Sequence, residues 1–398
     1  MAGVPGLLSG IRVLTLEQFI AGPYCTSLLA DAGAEVIKIE RPGTGDPRRS
    51  YDPRLTNPAH EDDYVSGGFA SYNRGKRSVE LDLASETGAS HFRELLSTAD
   101  ALVSNLRPGT LARLGHAVEH MRREHPRLIV CEISGFGTTD GPYASWPAFD
   151  SVIQGMSGLA SLQQDASGRP ALAPMGSMDI LAGVYAAFGI VTALAGRART
   201  GVGSHVDAAM YDIGAAFLER PLTLQEFTGR TPVAGADDFS PVGTFRTGDG
   251  GWVSIVIPTD EMWRRCCIAV GRPEWERDPD LDTVLKRAER MTSHILPMLE
   301  QWAADKDRFS AVAALQAAGQ PAGVVQTVAD VRNCPQLAHR GLFAPFVDRH
   351  VPEGRDFRLA RSPLLFDGQG ALPGPVPDLG QDNEDVLGSD SSASERPR

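Results

Sequence analysis

Short apolar runs alternate with amphipathic segments through the first half of the chain. Strands are predicted where β-branched residues cluster, and helices where apolar residues recur every three or four positions. The predicted strands are Ile11–Leu16, Val36–Glu40, Ala101–Ser104 and Leu128–Ile133. The predicted helices are Pro23–Ala32, Ser85–Ser97 and Val118–His125. This alternation predicts an α/β fold, a doubly wound Rossmann-like domain in which helices cover both faces of a parallel sheet.

The pattern changes in the second half of the chain. A strand is predicted at Val206–Asp207 and a helix at Met210–Phe227. After about Ser240 a hairpin is predicted around the turn Gly248–Gly251. Three helices are then predicted at Asp260–Val270, Thr283–Trp302 and Arg308–Ala318. We therefore predict that residues 1–228 form the first part of a large domain and residues 229–335 a smaller α+β domain. Residues 336–398 are predicted to return to the large domain and to end in a polar, Ser-rich, disordered tail from residue 381.

Two other stretches stand out from this pattern. Residues 43–67 are rich in Gly, Pro and charged residues, and a loop of this length either covers a functional site or is disordered. Ile180–Gly196 has seventeen residues without a charge, which is near the short limit for crossing a bilayer. Because this apolar segment stands alone between Asp179 and Arg197, we predict a buried core helix and no membrane association.

Composition removes several classes of function. The 398 residues include 38 Lys plus Arg and 50 Asp plus Glu, a formal net charge of −12, so binding to nucleic-acid phosphates is not expected. The five cysteines form no C-x-x-C pair, and no H-E-x-x-H motif is present, so no metal site is predicted. The cysteine pattern and the lack of a signal-like N-terminus lead us to expect a cytoplasmic protein.

Nucleotide-binding motifs are also missing, although basic and polar residues follow the predicted strands. Neither G-x-G-x-x-G nor a Walker A sequence occurs. Arg41 and Asn105 each follow a strand, Arg107 and Arg113 come after Asn105, and Lys76 and Arg77 lie in the basic segment NRGKR. Since the carboxyl ends of parallel strands meet at one crevice, these residues predict a site for a phosphate-rich ligand.

Five blocks of sequence, in this order, resemble the family III coenzyme A transferases, which include formyl-CoA transferase, carnitine CoA-transferase and α-methylacyl-CoA racemase. They cover most of residues 9–213 and are LSGIRVLTLEQFIAGPYCTSLLADAGAEVIKIERPGTGDPRR, NRGKRSVELDL, ADALVSNLRPGTLARLG, HPRLIVCEISGFGTTDGPYASWPAFDSVIQGMSGL and MDILAGVYAAFGIVTALAGRARTGVGSHVDAAMYD. The resemblance implies a homodimer of two interlocked subunits. It also implies that coenzyme A and acyl-CoA act as substrates, with no permanently bound cofactor.

The resemblance further implies that Asp179 is the nucleophile that moves CoA from an acyl-CoA donor to a free carboxylic acid. The carboxylate would form first a mixed anhydride and then an aspartyl-CoA thioester, which divides one difficult exchange into easier steps. From position alone, Asp179 is an acid in the first turn of an apolar helix, where it complements the helix dipole, with Ser177 as a possible cap.

The CoA-binding residues are carried over by motif. Ile20 and Ala21 in FIAGP are expected to contact the nucleotide through the backbone. Four further family contacts correspond to Arg41, Lys76, Asn105 and Arg113. Arg77 is added because a 3′-phosphate and a pyrophosphate require fixed positive charge.

Two departures from the family pattern affect the predicted activity. The racemase branch has a His where this chain has Phe149, before Asp150, so one proton-transfer group is missing and transfer is favoured over epimerisation. Some family members have a run of glycines before the smaller domain, where this chain has only Gly229 and Gly235. A 2-methylacyl-CoA racemase and a catalytically decayed CoA-binding protein remain as alternatives.

Overall fold

The computed structural model describes residues 6–57, 60–165, 167–232, 234, 240–352 and 354–388, with only the backbone of Glu61. Two compact units divide the chain. The first consists of Met1–Ser161, Pro170–Glu219 and Gln336–Arg398, and the second of Leu162–Arg169 and Arg220–Pro335. The main stretch of the second unit thus ends at residue 335 and begins at residue 220, earlier than the boundary after residue 228 that the change of pattern predicted. The short segment Leu162–Arg169 also belongs to the second unit.

The strands are β1 (Arg12–Leu16), β2 (Glu35–Glu40), β3 (Arg54–Asn57), β4 (His60–Ser66), β5 (Arg77–Glu80), β6 (Ala101–Ser104), β7 (Ile129–Ser134), β8 (His205–Ala209), β9 (Val242–Arg246), β10 (Trp252–Val256), β11 (Ala322–Val324), β12 (Phe343–Pro345) and β13 (Arg358–Ala360). Six of them form a parallel sheet in the order β5-β2-β1-β6-β7-β8. The predicted α/β class and parallel sheet are therefore confirmed. Counted within the sheet, the strand order is 3-2-1-4-5-6, that of the dinucleotide-binding folds.

The helices are α1 (Ala21–Asp31), α2 (Gly67–Asn73), α3 (Glu86–Thr98), α4 (Thr110–Arg113), α5 (Val118–Glu124), α6 (Asp150–Met156), α7 (Ser177–Thr200), α8 (Met210–Phe217), α9 (Glu219–Thr228), α10 (Asp260–Ala269), α11 (Val284–Glu289), α12 (Leu296–Ala303), α13 (Arg308–Ala317), α14 (Val328–Arg332), α15 (Pro335–His339) and α16 (Asn383–Leu387). Short 3₁₀ turns occupy Pro47–Ser50, Leu159–Leu162 and Pro273–Arg277. The predicted helix Met210–Phe227 is two helices, α8 and α9, with a break at Leu218.

The order of the sheet creates a crevice between β1 and β6. From β1, the chain first builds β2 and β5 on one side of the sheet, and then returns to build β6, β7 and β8 on the other side. Leu16 at the end of β1 lies beside Ser104 at the end of β6. The loops after these two strands separate at this switch point, which is where open α/β sheets bind their ligands.

Two glycines allow close packing around helix α1. A Cβ at Gly183 would lie 2.8 Å from the backbone oxygen of Ala21, and one at Gly22 would lie 2.8 Å from Glu17 Cβ. No larger side chain fits without displacing the backbone or a buried group. Gly183 therefore lets α7 pack closely on the start of α1, and Gly22 lets α1 lie close to Glu17 in the loop after β1.

The apolar helix predicted over Ile180–Gly196 spans Ser177–Thr200, and it is buried on one face only. Its other face exposes apolar side chains at Val184, Tyr185, Phe188 and Val191. The expectation of a fully buried helix is therefore wrong for this chain alone. Among the described residues this is the one helix that is long and apolar enough to cross a membrane. Core helices of soluble proteins can have the same length and composition. That the protein does not associate with membranes therefore stays a prediction.

Two segments predicted as irregular contain regular structure. Within residues 43–67, β3 and β4 form an antiparallel pair after the 3₁₀ turn at Pro47–Ser50, so disorder does not describe this part of the chain. The polar C-terminal stretch contains α16, whose Val386 and Leu387 pack on the core of the first unit. Asp382 also accepts a hydrogen bond from the backbone N–H of Ser78 at 2.9 Å. The predicted tail is therefore wrong for residues 381–388, and the remaining residues 389–398, like Gly235, lie outside the described chain.

The second unit has its own antiparallel sheet in the order β11-β10-β9, which confirms the predicted hairpin between Val242 and Val256. Its core contains Phe245, Trp263 and Leu299. The predicted helix Thr283–Trp302 is interrupted between α11 and α12 by a π-helical turn at Met291–Ile295. Pro297 lies in the first turn of α12, directly after the π-helical turn.

Candidate active site

A cavity of about 500 Å³ lies in the first unit at the crevice between β1 and β6. The β1–α1 loop, the segment after β6, the end of β7 and the loop that precedes α6 line it, together with single residues after β2 and at the starts of α7 and α8. Its lining residues that carry polar, charged or aromatic side chains are Gln18, Phe19, Arg41, Asn105, Arg107, Thr110, Ser134, Trp146, Phe149 and Asp179.

Asp179 is the acidic side chain of this cavity. It lies in the first turn of α7, partly buried, and its carboxylate makes no hydrogen bond or ion pair with any residue that the structure describes. Burial raises the pKa of Asp179 to about 6, the negative charge of Asp150 adds to the shift, and the positive charge of Arg48 opposes it. At neutral pH Asp179 is therefore mainly ionised, poorly solvated and unpaired, which are the properties of a carboxylate nucleophile.

The start of α7 is held by a carboxylate from another helix. Gly176, at φ +91°, is the residue before the first turn, and the Ser177 hydroxyl donates to the Pro174 carbonyl at 2.5 Å. Asp150 at the start of α6 accepts a hydrogen bond from the backbone N–H of Met178 at 2.7 Å. The expectation that Ser177 caps this helix is therefore wrong, because its hydroxyl points back to the preceding turn.

Asp150 is itself fixed by Gln154. The Gln154 amide donates to the second Asp150 oxygen at 2.7 Å and accepts from the backbone N–H of Ala173 at 2.8 Å. Asp150 is 3% exposed. A buried negative charge is thus held next to Asp179 by a satisfied hydrogen-bond network, and this arrangement keeps the pKa of Asp179 high.

Aromatic side chains form one wall of the cavity. Phe149 packs edge-on against Phe19, with 5.6 Å between the ring centroids. Phe19 has φ +65°, a left-handed backbone conformation that is strained for a bulky side chain and that occurs mostly where a site requires it. Position 149, which the sequence singled out, therefore contributes an apolar ring to the cavity and no titrating group.

Asn105 lines the cavity, but its amide is already used. It accepts from the backbone N–H of Gln18 at 2.8 Å and donates to the Gln18 carbonyl at 2.7 Å. The side chain therefore fixes the loop between β1 and α1, which carries Phe19 and Ile20. Its geometry is that of a residue that positions the loop, whereas the resemblance implied a ligand contact.

Four of the predicted CoA-binding residues line the same cavity as Asp179: Ile20, Ala21, Arg41 and Asn105. Helix α1 begins there with no side chain capping it, so the positive end of its dipole faces the cavity. Arg41 and Arg107 are both exposed and line the cavity. The sequence placed Arg107 in the basic set that follows the strands, but not among the CoA contacts carried over by motif.

The other three predicted residues do not line this cavity. Lys76 is fully buried and donates to Glu17 Oε1 at 2.7 Å, so its charge is already neutralised inside the protein. Arg77 on the edge strand β5 forms ion pairs with Glu35, Asp382 and Asp385. The exposed Arg113 donates to Thr110. The expectation that Lys76 and Arg77 offer free positive charge is not met, because acidic side chains reach them first.

Comparisons with known proteins find similar sequences over most of the chain. The family described as CoA-transferase family III matches residues 8–383. Succinate–glutarate CoA-transferase of Agrobacterium fabrum is 32% identical over 96% of this chain and 94% of its own length. Acetyl-CoA:oxalate CoA-transferase of Acetobacter aceti is 34% identical over 85% of each chain. Succinyl-CoA:mesaconate CoA-transferase of Haloarcula hispanica is 35% identical over 84% of each chain.

Two solved structures have the same fold over nearly the whole chain. A CaiB/BaiF family protein from Brucella suis has a TM-score of 0.81 and 30% identity, and the match covers 97% of this chain and 99% of that one. A hypothetical protein from Mycobacterium tuberculosis has a TM-score of 0.82 and 28% identity, with 97% and 100% covered.

Proposed function

The chain belongs to CoA-transferase family III, and we propose that it moves CoA from an acyl-CoA to a free carboxylic acid by covalent catalysis at Asp179. Transfer of CoA is the activity of the family, whereas the covalent path is inferred from the site. The observation that supports it is a partly buried carboxylate with no partner among the described residues, at the edge of a cavity of about 500 Å³.

The first half of the reaction releases the donor acid. An Asp179 oxygen attacks the thioester carbonyl carbon, the C–S bond breaks, and CoA thiolate and a mixed anhydride form. The thiolate then attacks Cγ of Asp179, the anhydride C–O bond breaks, and the donor acid leaves as its carboxylate. An aspartyl-CoA thioester remains, and no net proton is taken up or released.

The second half repeats these steps in reverse with the acceptor. The acceptor carboxylate attacks Cγ of the thioester and displaces CoA thiolate, which then attacks the acyl carbon of the new anhydride. Asp179 leaves as a carboxylate and the new acyl-CoA forms. The raised pKa of Asp179 makes it a stronger nucleophile than an exposed Asp and still leaves it largely ionised at neutral pH.

The CoA moiety is proposed to occupy the crevice at the switch point between β1 and β6. Ile20 and Ala21 offer the start of α1, and Arg41 and Arg107 offer positive charge for phosphates. Asn105 acts in this proposal by holding the Gln18 backbone. Contacts of CoA with Lys76 and Arg113 stay predictions from the resemblance, and a contact with Arg77 stays a prediction from charge.

The cavity favours transfer over the racemase alternative. Epimerisation needs groups that remove and return a proton at the α-carbon. Phe149, at the position where the racemases have a His, packs on Phe19 and cannot exchange a proton. Solvent deuterium should therefore not enter the α-carbon of the acyl group during turnover.

The proposed substrates are dicarboxylic acids and their CoA thioesters. The relatives described above are named for succinate, glutarate, oxalate and mesaconate. Each of these acids has a second carboxylate that stays free when the first carries CoA. The substrate class is taken from the relatives and comes to this chain as part of the proposal.

We also propose that two copies form an interlocked cytoplasmic homodimer. The support is the exposed apolar face of α7, where Tyr185 is 47% and Phe188 69% exposed, on the helix that carries Asp179. Light scattering on the purified protein should give twice the mass of the chain. Phe188→Asp should lower that mass, and a monomeric wild type would contradict this part of the proposal.

Trapping of the intermediate tests the covalent path. The protein is incubated with succinyl-CoA, treated with hydroxylamine and digested, and the peptides are mapped by mass spectrometry. A hydroxamate should appear on Asp179 and depend on the acyl-CoA. Asp150 in the same digest serves as the internal control. An unmodified Asp179 during active turnover, or full activity in Asp179→Ala, would exclude the proposed mechanism.

A further inference from the structure

Two consecutive arginines in the 3₁₀ turn Pro47–Ser50 have different surroundings. Arg49 pairs with Glu40 through Nε at 2.9 Å and Nη2 at 2.7 Å. Arg48 donates from Nε to the Gly68 carbonyl at 2.9 Å. Its two terminal nitrogens have no hydrogen-bond or ion-pair partner within the part of the chain that the structure describes. Arg48 therefore keeps the half of its guanidinium group that suits a carboxylate.

Aromatic rings and the backbone hold Arg48 in place. Its guanidinium carbon lies 5.3 Å from the ring centroid of Tyr72 and 5.5 Å from that of Tyr51. A Cβ at Gly68 would lie 2.9 Å from Nη2, so only glycine leaves the guanidinium this room. An arginine fixed in this way has lost much of its conformational freedom before any ligand binds, which favours binding.

The same rings connect Arg48 with the helix of the nucleophile. Tyr72 packs edge-on against Tyr24, with 6.1 Å between the ring centroids, and a Cβ at Gly183 would lie 3.1 Å from Tyr24 Cδ1. Gly183 lies four residues after Asp179 and therefore on the same face of α7. Arg48 is also the positive group that opposes the raised pKa of Asp179, and Asp179 contributes to the raised pKa of Tyr72.

Arg48 does not belong to the lining of the cavity that holds Arg41 and Arg107. Asp179 thus has two separate sources of positive charge in its surroundings. The pair in the cavity is exposed and suits the phosphates of CoA. Arg48 is half-buried on tyrosine rings, which suits the smaller and planar carboxylate of an acyl group.

We propose that Arg48 binds the second carboxylate of a dicarboxylic substrate and so determines the preference for dicarboxylic over monocarboxylic acids. This inference rests on the proposed function, because it places the acyl group at Asp179. A guanidinium group offers two parallel N–H donors to a carboxylate, and such charge-assisted pairs are among the stronger hydrogen bonds. Since the second carboxylate is free in the acid, the thioester and the anhydride, the same contact can form in every step in which the substrate is bound.

Isotope exchange between an acid and its own CoA thioester tests this inference. Labelled succinate is incubated with succinyl-CoA, and labelled butyrate with butyryl-CoA, which has the same chain length without the second carboxylate. Wild type is compared with Arg48→Met and Arg48→Lys, and with Arg93→Met as a control at an exposed position on α3. The wild type should prefer succinate, and Arg48→Met should lower kcat/KM for succinate about 10- to 100-fold, mainly through KM.

Butyrate exchange in the same variant reports both folding and the proposed function. It should change less than about 3-fold in Arg48→Met, and Arg48→Lys should recover part of the succinate exchange. An equal loss with both acids would mean that Arg48 acts only on Asp179 and would overturn the inference. An unchanged succinate exchange, or a wild type that prefers butyrate, would overturn it as well. A wild type that exchanges neither acid would instead contradict the proposed function.

Discussion

Two groups of charges in the first unit differ in how they are paired. Behind the β1–α1 loop, Lys76 donates to Glu17 at 2.7 Å and Lys38 to Asp46 at 2.9 Å, and all four residues are buried. Beside the cavity, Asp179 and Arg48 have no ion-pair partner among the described residues. Both groups are shielded from water, but only the first is neutralised by the protein itself.

The difference separates structural from functional charges. Glu17 and Lys38 hold the loop in place, because Lys38 also donates to the Glu17 carbonyl at 3.1 Å and Asp46 accepts from the Phe19 N–H at 3.4 Å. An unpaired charge in a partly buried place costs folding free energy, which a substrate or a reaction step can recover. Removal of a charge from the buried, paired group should therefore lower the stability of the protein. Removal of a charge from the unpaired group beside the cavity should lower its activity.

The largest expected effect is on activity. Asp179→Asn keeps the size and polarity of the side chain and removes the nucleophile, so CoA exchange should fall about 10³-fold or more. The rate of labelled succinate exchange into succinyl-CoA measures it. The thermal transition should not fall, since Asp179 makes no hydrogen bond to a described residue. Asn retaining a tenth of the activity would show that the carboxylate is not the acceptor of the acyl group.

The sequence predicts those features that depend on neighbouring residues, and it does not predict those that depend on contacts between residues far apart in the chain. The strands β1, β2, β6 and β7 were predictable because short β-branched runs between helical patterns are a local signal. The parallel sheet followed from their alternation with helices. Helix α16 was not predictable, because it depends on contacts of residues 382–387 with β5, some 300 positions earlier.

The site shows the same limit. Asp179 follows from the family resemblance, and the cavity-lining Arg41 follows from its position after a strand. The buried pairing of Lys76 does not follow, since its partner Glu17 is 59 residues away. Arg48 was missed for the same reason. In the sequence it is one of two neighbouring arginines, and only the fold shows that Arg49 pairs with Glu40 while Arg48 does not. Selection by charge alone therefore included Lys76 and Arg77, which form ion pairs, and did not include Arg48, which forms none with a described residue.

The second expected effect is on stability. Glu17→Gln leaves Lys38 and Lys76 buried with one carboxylate fewer, which should lower the free energy of unfolding by about 3–5 kcal/mol. Urea titration followed by circular dichroism measures it, with Glu94→Gln on the exposed face of α3 as the control. The double variant Glu17→Gln, Lys76→Met should regain part of the loss. A single variant as stable as the control would show that the buried network is not structural.

The third effect tests the cost of the unpaired charge. Because the pKa of Asp179 is raised in the folded protein to about 6, the folded state binds the proton more tightly than the unfolded state. Below about pH 4 both states are protonated and the charge costs nothing, while above pH 6 the folded state carries the cost. Asp179→Asn should therefore stabilise the protein by about 1–3 kcal/mol at pH 7 and by little at pH 4. A stability difference that does not change with pH would contradict this assignment.

The smallest effect concerns the neighbour that raises the pKa of Asp179. Exchange that depends on ionised Asp179 should rise with pH and reach half its maximum near the pKa of about 6. Asp150→Asn removes a negative charge next to Asp179, so the pKa of Asp179 should fall and the kcat/KM profile should move to lower pH. The Asn oxygen can still accept from the Met178 N–H, whereas the hydrogen bond from Gln154 is lost, so the cost in stability should stay near 1 kcal/mol. A profile that moves to higher pH would mean that Asp150 acts on Asp179 through the position of α7, since the loss of a like charge alone can only favour ionisation.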